Sequence, residues 1–254
     1  MGVFEGKVVW VTGAGTGIGE AAVRMFAREG AKVALMGRRK EMVDKVAAEI
    51  AGEGGEAVAE ALDVSQRARV NEVAGRLLDR FGRVDILINN AGLNVVNRRL
   101  PELTPEDWDQ VIDVNLTGAF NLVEAVLAPM KAQNDGLIVN IASTAAKRVS
   151  GVAGIAYVSS KFGMLGMSLS LTQEAWQFGV RTCCILPDDV NTPIMARRKV
   201  KYSEDLLAQM IQPEDLADII RCVALLHPRT SIPELIVTPT SVRPYTPAES
   251  GTPG

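Results

Sequence analysis

The stretch Thr12-Gly-Ala-Gly-Thr-Gly-Ile-Gly19, near the start of the chain, decides the fold. It follows a buried-strand pattern at Lys7–Thr12 and precedes an amphipathic helical pattern at about 17–29. Glycines between a strand and a helix let the main chain turn tightly and approach a phosphate, while the first amides of the helix face the anion. The spacing departs from Gly-x-Gly-x-x-Gly, so the bare string also suits a structural turn, but its setting favours a pyrophosphate site. The residues predicted to bind a dinucleotide here are Gly13, Thr16, Gly17, Ile18 and Gly19.

Outward from that turn, short apolar runs alternate with longer helical patterns along the chain. The predicted strands lie at 7–12, 32–37, 57–62, 85–89, 137–142, 180–186 and about 233–238. The predicted helices lie at about 17–29, 40–51, 66–81, 105–130 and 154–178, and a further helix begins at Gln212-Pro213. Such alternation is typical of an α/β fold, here a doubly wound, Rossmann-like parallel sheet with right-handed crossovers. We predict a single domain over 1–240, with a substrate lid at about 191–212, and a loose tail over 241–254.

Composition and charge exclude several classes of function. The 254 residues are 47% apolar and 22% charged, which is ordinary for a globular protein. Lys plus Arg number 27 and Asp plus Glu 30, and the net charge of −3 offers no general attraction to nucleic acid or to an anionic membrane. No apolar run reaches about 18 residues, and the N-terminus lacks the pattern of a signal peptide. The three cysteines have no metal-binding spacing, so we predict no metal site and a cytoplasmic protein.

The end of the second predicted strand indicates which dinucleotide binds. Proteins that bind NAD carry an acid there, about 20 residues beyond the glycines, which holds the ribose hydroxyls. This chain reads Ala34-Leu-Met-Gly-Arg38-Arg39-Lys40, with no acid. Because an arginine can bind a 2′-phosphate through two hydrogen bonds, we predict NADP(H), with Arg38 on the phosphate and Arg39 as the candidate to stack on adenine. NAD(H) is the alternative, as is a solvated basic loop with no role in binding.

A second motif, Tyr157-Val-Ser-Ser-Lys161, carries the predicted chemistry. Hydride transfer to a carbonyl leaves negative charge on the oxygen, so an acid must lie beside it. A free tyrosine has a pKa near about 10, and a lysine at i+4 lies on the same helix face. A unit charge about 4 Å away, at an effective dielectric of about 20, is worth roughly 4 kcal/mol, or about three pKa units. We therefore predict Tyr157 as the acid/base and Lys161 as its activator, with Ser143 donating a second hydrogen bond to the carbonyl oxygen.

Together these motifs resemble the short-chain dehydrogenase/reductase family in its single-domain form, from about residue 4 to about residue 238. Asn89-Asn-Ala-Gly92, Leu62-Asp63-Val64 and Asp113-Val-Asn115-Leu are similar to family motifs and occur in the same order. The resemblance implies that Asn115 joins a proton relay by holding a water that links Lys161 to solvent, and that the protein is a homodimer or homotetramer. The further cofactor-binding residues that it implies are Asp63, Val64, Asn90, Ala91, Gly92, Tyr157, Lys161, Pro187, Val190 and Thr192.

Two segments depart from the family's pattern. Asp188 follows Pro187 where the family usually has glycine, and because aspartate tolerates left-handed backbone we expect the turn to survive. The last predicted strand continues as Thr238-Pro-Thr240 instead of the family's Val-Asp-Gly-Gly. That change bears on any assembly that depends on the C-terminal tail.

The loops after the strand ends form the predicted substrate cleft, and they are rich in basic residues. These residues are Arg98, Arg99, Lys147, Arg148, Arg197, Arg198, Lys199 and Lys201. In a chain of negative net charge the clustering favours an anionic substrate or carrier, although basic solvated loops around an apolar pocket fit the pattern as well.

We predict an NADP(H)-dependent carbonyl reductase or alcohol dehydrogenase that acts on a small-molecule carbonyl or secondary alcohol. One alternative is an NAD(H)-linked alcohol dehydrogenase of the same family. A non-enzymatic, NADP-sensing binding protein is an alternative from another class, which the presence of both Tyr157 and Lys161 disfavours. An isomerase or dehydratase of the extended branch shares the Tyr-x-x-x-Lys motif but normally adds a substrate domain.

Overall fold

A computed structural model describes residues 2–149, 151–197 and 202–240 of the chain. Its strands are β1 (Val8–Thr12), β2 (Lys32–Gly37), β3 (Glu56–Ala61), β4 (Ile86–Asn89), β5 (Gly136–Ile141), β6 (Val180–Pro187) and β7 (Glu234–Val237). Its α-helices are α1 (Gly17–Arg28), α2 (Lys40–Gly52), α3 (Arg67–Phe81), α4 (Pro105–Ile112), α5 (Gly118–Gln133), α6 (Ile155–Ala175), α7 (Glu204–Ala208) and α8 (Pro213–Leu225). Every predicted strand is present, and its ends lie within one residue of the prediction.

The described strands form one parallel sheet in the order β3-β2-β1-β4-β5-β6-β7, which confirms the doubly wound prediction. Its two faces are covered by different helices: one core cluster joins the sheet to α1, α2 and α8, and the other joins it to α3, α5 and α6. Strand β1 shows why such strands are continuously apolar, because Val9 and Val11 pack into the first cluster while Val8 and Trp10 pack into the second.

The strand order places a crevice at one edge of the sheet. Strands β2 and β3 lie on one side of β1, and β4 to β7 lie on the other, so the succession of strands reverses between β1 and β4. Because all strands are parallel, their carboxyl ends share one edge, and ligands of such sheets bind outside that edge at the reversal point. The loops that carry the predicted motifs follow these strand ends.

The predicted helix over 105–130 is longer in the structure and is interrupted. Thr104 caps its start by accepting a hydrogen bond from the Asp107 amide at 3.1 Å, as the sequence indicates. A π-helical segment, Asp113–Thr117, then separates α4 from α5. Wider turns of this kind are common at functional sites, and no spacing of residue types marks them in a sequence.

One helical stretch of the described chain, Pro105–Gln133, is long and apolar enough to cross a membrane by length and composition. Half of its apolar window is buried inside the protein, as in a core helix. The predicted lid contains a 3-10 turn at Pro193–Arg197 and the short helix α7, while 198–201 and the predicted tail over 241–254 lie outside the described residues. The lid and the tail remain predictions.

Candidate active site

The glycine-rich turn joins β1 to α1 at positions where the backbone requires glycine. Gly13 and Gly17 have φ of +64° and +59°, in the left-handed region that side chains disfavour. A Cβ on Gly19 would lie 2.5 Å from the carbonyl oxygen of Gly13. Thr16, the residue before α1, makes no side-chain cap, so the first amides of the helix remain for an anion. The turn therefore has the local geometry of a phosphate site.

Thr12 links this turn to the loop after β4. Its buried hydroxyl accepts hydrogen bonds from the amides of Asn90 at 3.0 Å and Ala91 at 2.9 Å. In return, Asn90 Nδ2 donates to the carbonyl oxygens of Thr12 at 3.0 Å and of Gly13 at 3.3 Å. The two loops on either side of the crevice thus form one unit. Thr12 had no role in the predictions from sequence. The feature that could have indicated one is its position: Thr12 ends β1 directly before Gly13, and β1 lies beside β4 in the sheet.

The two arginines after β2 are exposed and differ in their contacts. Arg39 Nη2 lies 3.5 Å from Thr16 Oγ1, so Arg39 extends toward the glycine turn. Arg38 lies one residue closer to the strand end. The amide of Ala14 donates to Met36 O at 3.2 Å and holds the ends of β1 and β2 together. Arg38 and Arg39 therefore follow a strand end that is tied to the glycine turn, and Arg39 is the one whose side chain is seen to contact that turn.

The end of β3 forms a turn built on Asp63. Asp63 Oδ1 accepts hydrogen bonds from the amide of Ser65 at 3.0 Å and from its hydroxyl at 2.7 Å. Val64 packs tightly on α5, where a Cβ on Gly118 would lie 2.4 Å from Val64 Cγ2. Asp63 and Val64 consequently stand at the same sheet edge as the glycine turn.

Lys161 is buried beneath Tyr157. It is 3% exposed, and its ammonium donates to the carbonyl oxygen of Ile141, the last residue of β5, at 2.9 Å. Lys161 Nζ lies 5.5 Å from the centre of the Tyr157 ring. Burial lowers the pKa of Lys161 to about 8, although the neighbouring Cys184 thiol opposes the change. At pH 7 the lysine is therefore still mostly protonated, and its charge lies close to the half-buried tyrosine.

Ser143 follows β5 and is half-buried. Its Oγ accepts a hydrogen bond from the amide of Ala145 at 3.1 Å, which starts a 3-10 turn. A serine hydroxyl that accepts a hydrogen bond keeps its own proton for donation. Ser143 is thus oriented by its own turn and can donate to a substrate oxygen.

Asn115 lies in the π-helical segment and is fully buried. Its side chain binds the main chain of Leu93 twice, accepting from the amide at 2.8 Å and donating to the carbonyl at 2.9 Å. It also donates to Ser160 Oγ at 3.1 Å. A Cβ on Gly92 would lie 3.5 Å from Asn115 Oδ1 and 3.7 Å from Lys161 Nζ. The missing side chain of Gly92 therefore leaves space that Asn115 and Lys161 both border.

The turn after β6 closes the crevice from the other side. Val190 pairs with Ile211 in an isolated bridge, and Thr192 reaches the glycine turn, where a Cβ on Gly17 would lie 3.0 Å from Thr192 Cγ2. From the sequence, we expected the turn after Pro187 to survive without a glycine because Asp188 would tolerate a left-handed backbone conformation. Among the described residues that are not glycine, Asn134 alone has a positive φ, so the turn after Pro187 needs no left-handed residue.

The basic residues of the cleft are engaged to different degrees. Arg98 donates to two main-chain carbonyls, and Lys147 pairs with Glu234 at 2.9 Å. Arg148 is exposed. The side chain of Arg197 and residues 198–201 lie outside the described part of the structure. In that described part, no group of three or more His, Cys, Asp or Glu residues is placed to hold a metal ion.

Comparison with known proteins gives one consistent result. The family model for short chain dehydrogenase matches residues 7–203. The chain is 34% identical over 230 residues to 3-oxoacyl-(acyl-carrier-protein) reductase FabG of Thermotoga maritima, covering 87% of this chain and 91% of that one. It is 35% identical over 228 residues to oxidoreductase UcpA of Escherichia coli, covering 90% and 82%.

Solved structures agree with this result. An alcohol dehydrogenase from the archaeon Thermococcus sibiricus, complexed with 5-hydroxy-NADP, superposes with a TM-score of 0.85 at 32% identity. A metagenomic short-chain oxidoreductase in complex with NADP superposes with a TM-score of 0.81 at 33% identity. Each match covers 94% of this chain and 99% of the other.

Proposed function

Since this chain belongs to the short-chain dehydrogenase/reductase family and is an NAD(P)-dependent oxidoreductase, we propose that it transfers a hydride between NADP(H) and a carbonyl or secondary alcohol. Tyr157 is the acid/base in this proposal. The observation that carries it is the burial of Lys161 under Tyr157, because the protein exposes almost none of a cation that ordinarily lies in water. Burying an ammonium that has a single hydrogen bond, to a main-chain carbonyl, costs free energy, and a role in the reaction accounts for that cost.

The residues at the crevice fit a dinucleotide. A Cβ on Gly13, Gly17 or Gly19 would crowd neighbouring atoms of the protein, which keeps the turn tight, and the start of α1 lacks a side-chain cap, so its first amides are available to a pyrophosphate. Asp63 and Val64 would contact the adenine, and Asn90 to Gly92, which follow β4, would line the crevice beyond the turn. Pro187, Val190 and Thr192 would hold the nicotinamide end, and Ile18, at the start of α1, would also contact the cofactor. When bound, the reduced cofactor supplies the hydride.

The proton moves through Tyr157 in this mechanism. During reduction the phenol donates its proton to the carbonyl oxygen, while Ser143 donates a second hydrogen bond to the same atom. A unit charge at about the 5.5 Å between Lys161 Nζ and the Tyr157 ring centre is worth roughly 3 kcal/mol at an effective dielectric of about 20, and it favours the ionised phenol. The ammonium therefore makes proton transfer easier in either direction.

Asn115 and Lys161 complete the proposed relay. Both border the space beside Gly92, where a water can connect the lysine to solvent. The Asn115 side chain also holds the Leu93 main chain and Ser160, whose hydroxyl donates to the Tyr157 carbonyl at 2.8 Å. Asn115 thus both borders the relay and supports the helix that carries the tyrosine.

NADP(H) is the proposed cofactor, with NAD(H) as the alternative. The support is the pair of exposed arginines, Arg38 and Arg39, directly after β2, in a segment without an acid between residues 34 and 40. The contact of Arg39 with Thr16 adds that guanidinium to the expected phosphate site. The two similar structures described above hold NADP or 5-hydroxy-NADP.

The substrate is proposed to be a small carbonyl or alcohol compound, with an anionic compound or acyl carrier as the finer expectation. Exposed Arg148 supports that charge preference, as does the name of the Thermotoga maritima relative, an acyl-carrier-protein reductase. The engagement of Arg98 and Lys147 with this chain's own groups reduces that support.

A homodimer or homotetramer is the proposed assembly. Helix α6 carries exposed Phe162 and Leu169 at positions i and i+7, and Gly166 between them has open space where a Cβ would be. Exposed Phe120 on α5 adds to this apolar surface. Free thiols at Cys183, Cys184 and Cys222 support the proposed cytoplasmic location, because such thiols persist in reducing compartments.

The cofactor proposal is tested by titrating the purified protein with NADPH and NADH and following nicotinamide fluorescence. Wild type, Arg38→Ala and Arg39→Ala are compared. We expect a preference for NADPH that falls at least about tenfold in one or both variants, while the NADH affinity changes little, because each charge-assisted pair is worth about 1.5–3 kcal/mol. Equal affinities in the wild type, unchanged by either substitution, would favour the NAD(H)-linked alternative.

A further inference from the structure

We propose that Asn94 and Arg98 are positioning residues that clamp the loop after β4 to the segment that starts the helix of Tyr157. This inference rests on the proposed role of Tyr157 as the acid/base. It gives Arg98 a task inside the protein, where the sequence favoured a charge that attracts an anionic substrate.

The clamp consists of hydrogen bonds from two side chains to two successive carbonyls. Arg98 Nη1 donates to Val152 O at 3.1 Å, and Asn94 Nδ2 donates to Ala153 O at 2.9 Å. The same two side chains also brace their own loop: Arg98 Nε donates to Val95 O at 2.6 Å, and Asn94 Oδ1 accepts from the Val95 amide at 2.9 Å. Since Asn94 is 6% exposed, its bonds are made away from competing water.

Gly154 lets the two segments meet at backbone distance. It has φ of +80°, and a Cβ there would lie 2.5 Å from Arg98 Cβ and 2.6 Å from Arg98 O. Gly154 is also the residue before α6, and its carbonyl accepts from the amide of Val158 at 3.0 Å. The helix that carries Tyr157 therefore begins directly against Arg98, and Tyr157 follows three residues later.

The other end of the same loop is fixed by a separate route. Asn115 binds both main-chain groups of Leu93, and it reaches Tyr157 through Ser160, which donates to the tyrosine's carbonyl. The loop over 93–98 is thus attached to α6 at two places: Leu93 is linked through Asn115 to Ser160 inside the helix, and Arg98 is bonded to the segment just before its first turn. The clamp supplies a second attachment between this loop and α6, at the start of the helix.

The chemical consequence is precision in the position of the phenol. Misplacing a reacting group by about 1 Å can reduce the rate about 100-fold. An arginine suits the task because its planar guanidinium presents several donors in a fixed arrangement, so one side chain can brace its own loop and bind the opposite segment. Arg98 acts through Tyr157 and need not touch the substrate.

The test compares Arg98→Ala with Arg80→Ala, a control that removes the same charge from the exposed end of α3, before β4 and therefore at the opposite edge of the sheet. Hydrogen–deuterium exchange of the amides over 154–161 reports on the first turns of α6 without any turnover. We expect exchange there to be at least about tenfold faster in Arg98→Ala and close to wild type in Arg80→Ala. Equal exchange in the two variants would overturn the clamp.

Kinetics with a neutral ketone and NADPH give the second readout. The kcat of Arg98→Ala should fall about 10- to 100-fold while the KM for NADPH stays within about threefold, and added guanidinium ion should restore part of the rate. A loss seen only with anionic substrates, or an equal loss in Arg80→Ala, would show that charge and not position matters. If Arg98→Ala fails to fold, Arg98→Lys keeps the charge, cannot reproduce the planar arrangement of donors, and should show a smaller loss of the same kind.

The two proposals fail in different ways. A wild-type protein that does not turn over any neutral carbonyl with NADPH would contradict the proposed function. The exchange comparison would still decide whether Arg98 holds the start of α6, because it needs no substrate or cofactor.

Discussion

Replacing Lys161 by methionine is expected to stabilise the fold at pH 7 while removing the charge that activates Tyr157. The pKa of Lys161 falls from 10.5 to about 8 because its ammonium is buried. That difference corresponds to about 3 kcal/mol of cost for keeping the group protonated inside the protein. Methionine fills a similar volume without charge but loses the hydrogen bond to Ile141 O, worth about 1 kcal/mol. The net gain at pH 7 is therefore about 2 kcal/mol in the free energy of unfolding.

The gain should depend on pH in a defined direction. Because the folded-state pKa of Lys161 lies below its unfolded value, the folded protein binds fewer protons between about pH 8 and pH 10.5, and wild-type stability from this group rises with pH across that window. The cost of the buried charge is fully present below about pH 8. Between pH 7 and pH 9.5 the advantage of Lys161→Met should shrink by about 2 kcal/mol, to near zero.

Urea unfolding followed by circular dichroism at both pH values measures the difference. Lys147→Met is the matched control, because Lys147 is partly exposed and paired with Glu234 at 2.9 Å; its effect should stay below about 1 kcal/mol at both pH values. The reasoning is refuted if Lys161→Met is less stable than the wild type at pH 7, or if the difference between them does not change with pH.

Two further substitutions test the glycine turn and the opposite edge of the sheet by the same urea method. Gly17→Ala should cost about 1–2 kcal/mol and weaken NADPH binding, because φ is +59° and the new Cβ would lie 3.0 Å from Thr192 Cγ2. Its control, Gly75→Ala, lies in α3 with open space around it and should gain up to about 1 kcal/mol; equal effects in both would contradict the backbone argument. Asp85→Asn should cost about 2 kcal/mol at pH 7: burial opposes ionisation, but bonds from Arg83, the Val8 amide and Lys7 hold the pKa of Asp85 below 3.8. A carboxyl group whose pKa is lowered by folding stabilises the protein above its ordinary pKa of 3.8, and this contribution is lost as the pH falls through the folded-state pKa. The difference in stability between the wild type and Asp85→Asn should therefore disappear in acid. A difference that stays constant with pH would refute this role of Asp85.

Much of the fold was predictable from local pattern. The strand ends lie within one residue of the predictions, because short apolar runs between helical patterns have few other ways to be buried. The helix at 105–130 was predicted as continuous and is interrupted by the π-helical Asp113–Thr117. Nothing in the residue types at 113–117 distinguishes an α-helical from a π-helical turn, so the interruption could not be read from the sequence.

The candidate site was predictable in its parts and not in its connections. The i+4 spacing indicated that Lys161 and Tyr157 share a helix face, but the lysine is buried because α6 packs on β6 and its ammonium meets the carbonyl of Ile141 at the end of β5. Arg98 looked like a cleft charge in the sequence, and the structure shows its donors bound to Val95 and Val152 carbonyls. Which carbonyl lies near an arginine is set by two loops that are far apart in the chain.

By itself, the sequence determined the order of strands and helices, the glycine turn, and the pairing of Tyr157 with Lys161. These features depend on periodicity and backbone sterics within a few residues, so they can be recognised locally. Only the tertiary structure decided that Thr12 joins the loops on either side of the crevice, that Asn115 holds Leu93, and that Lys161 is buried. Those contacts join residues from about 20 to about 80 positions apart, and they exist only once the parallel strands have brought their carboxyl ends to one edge.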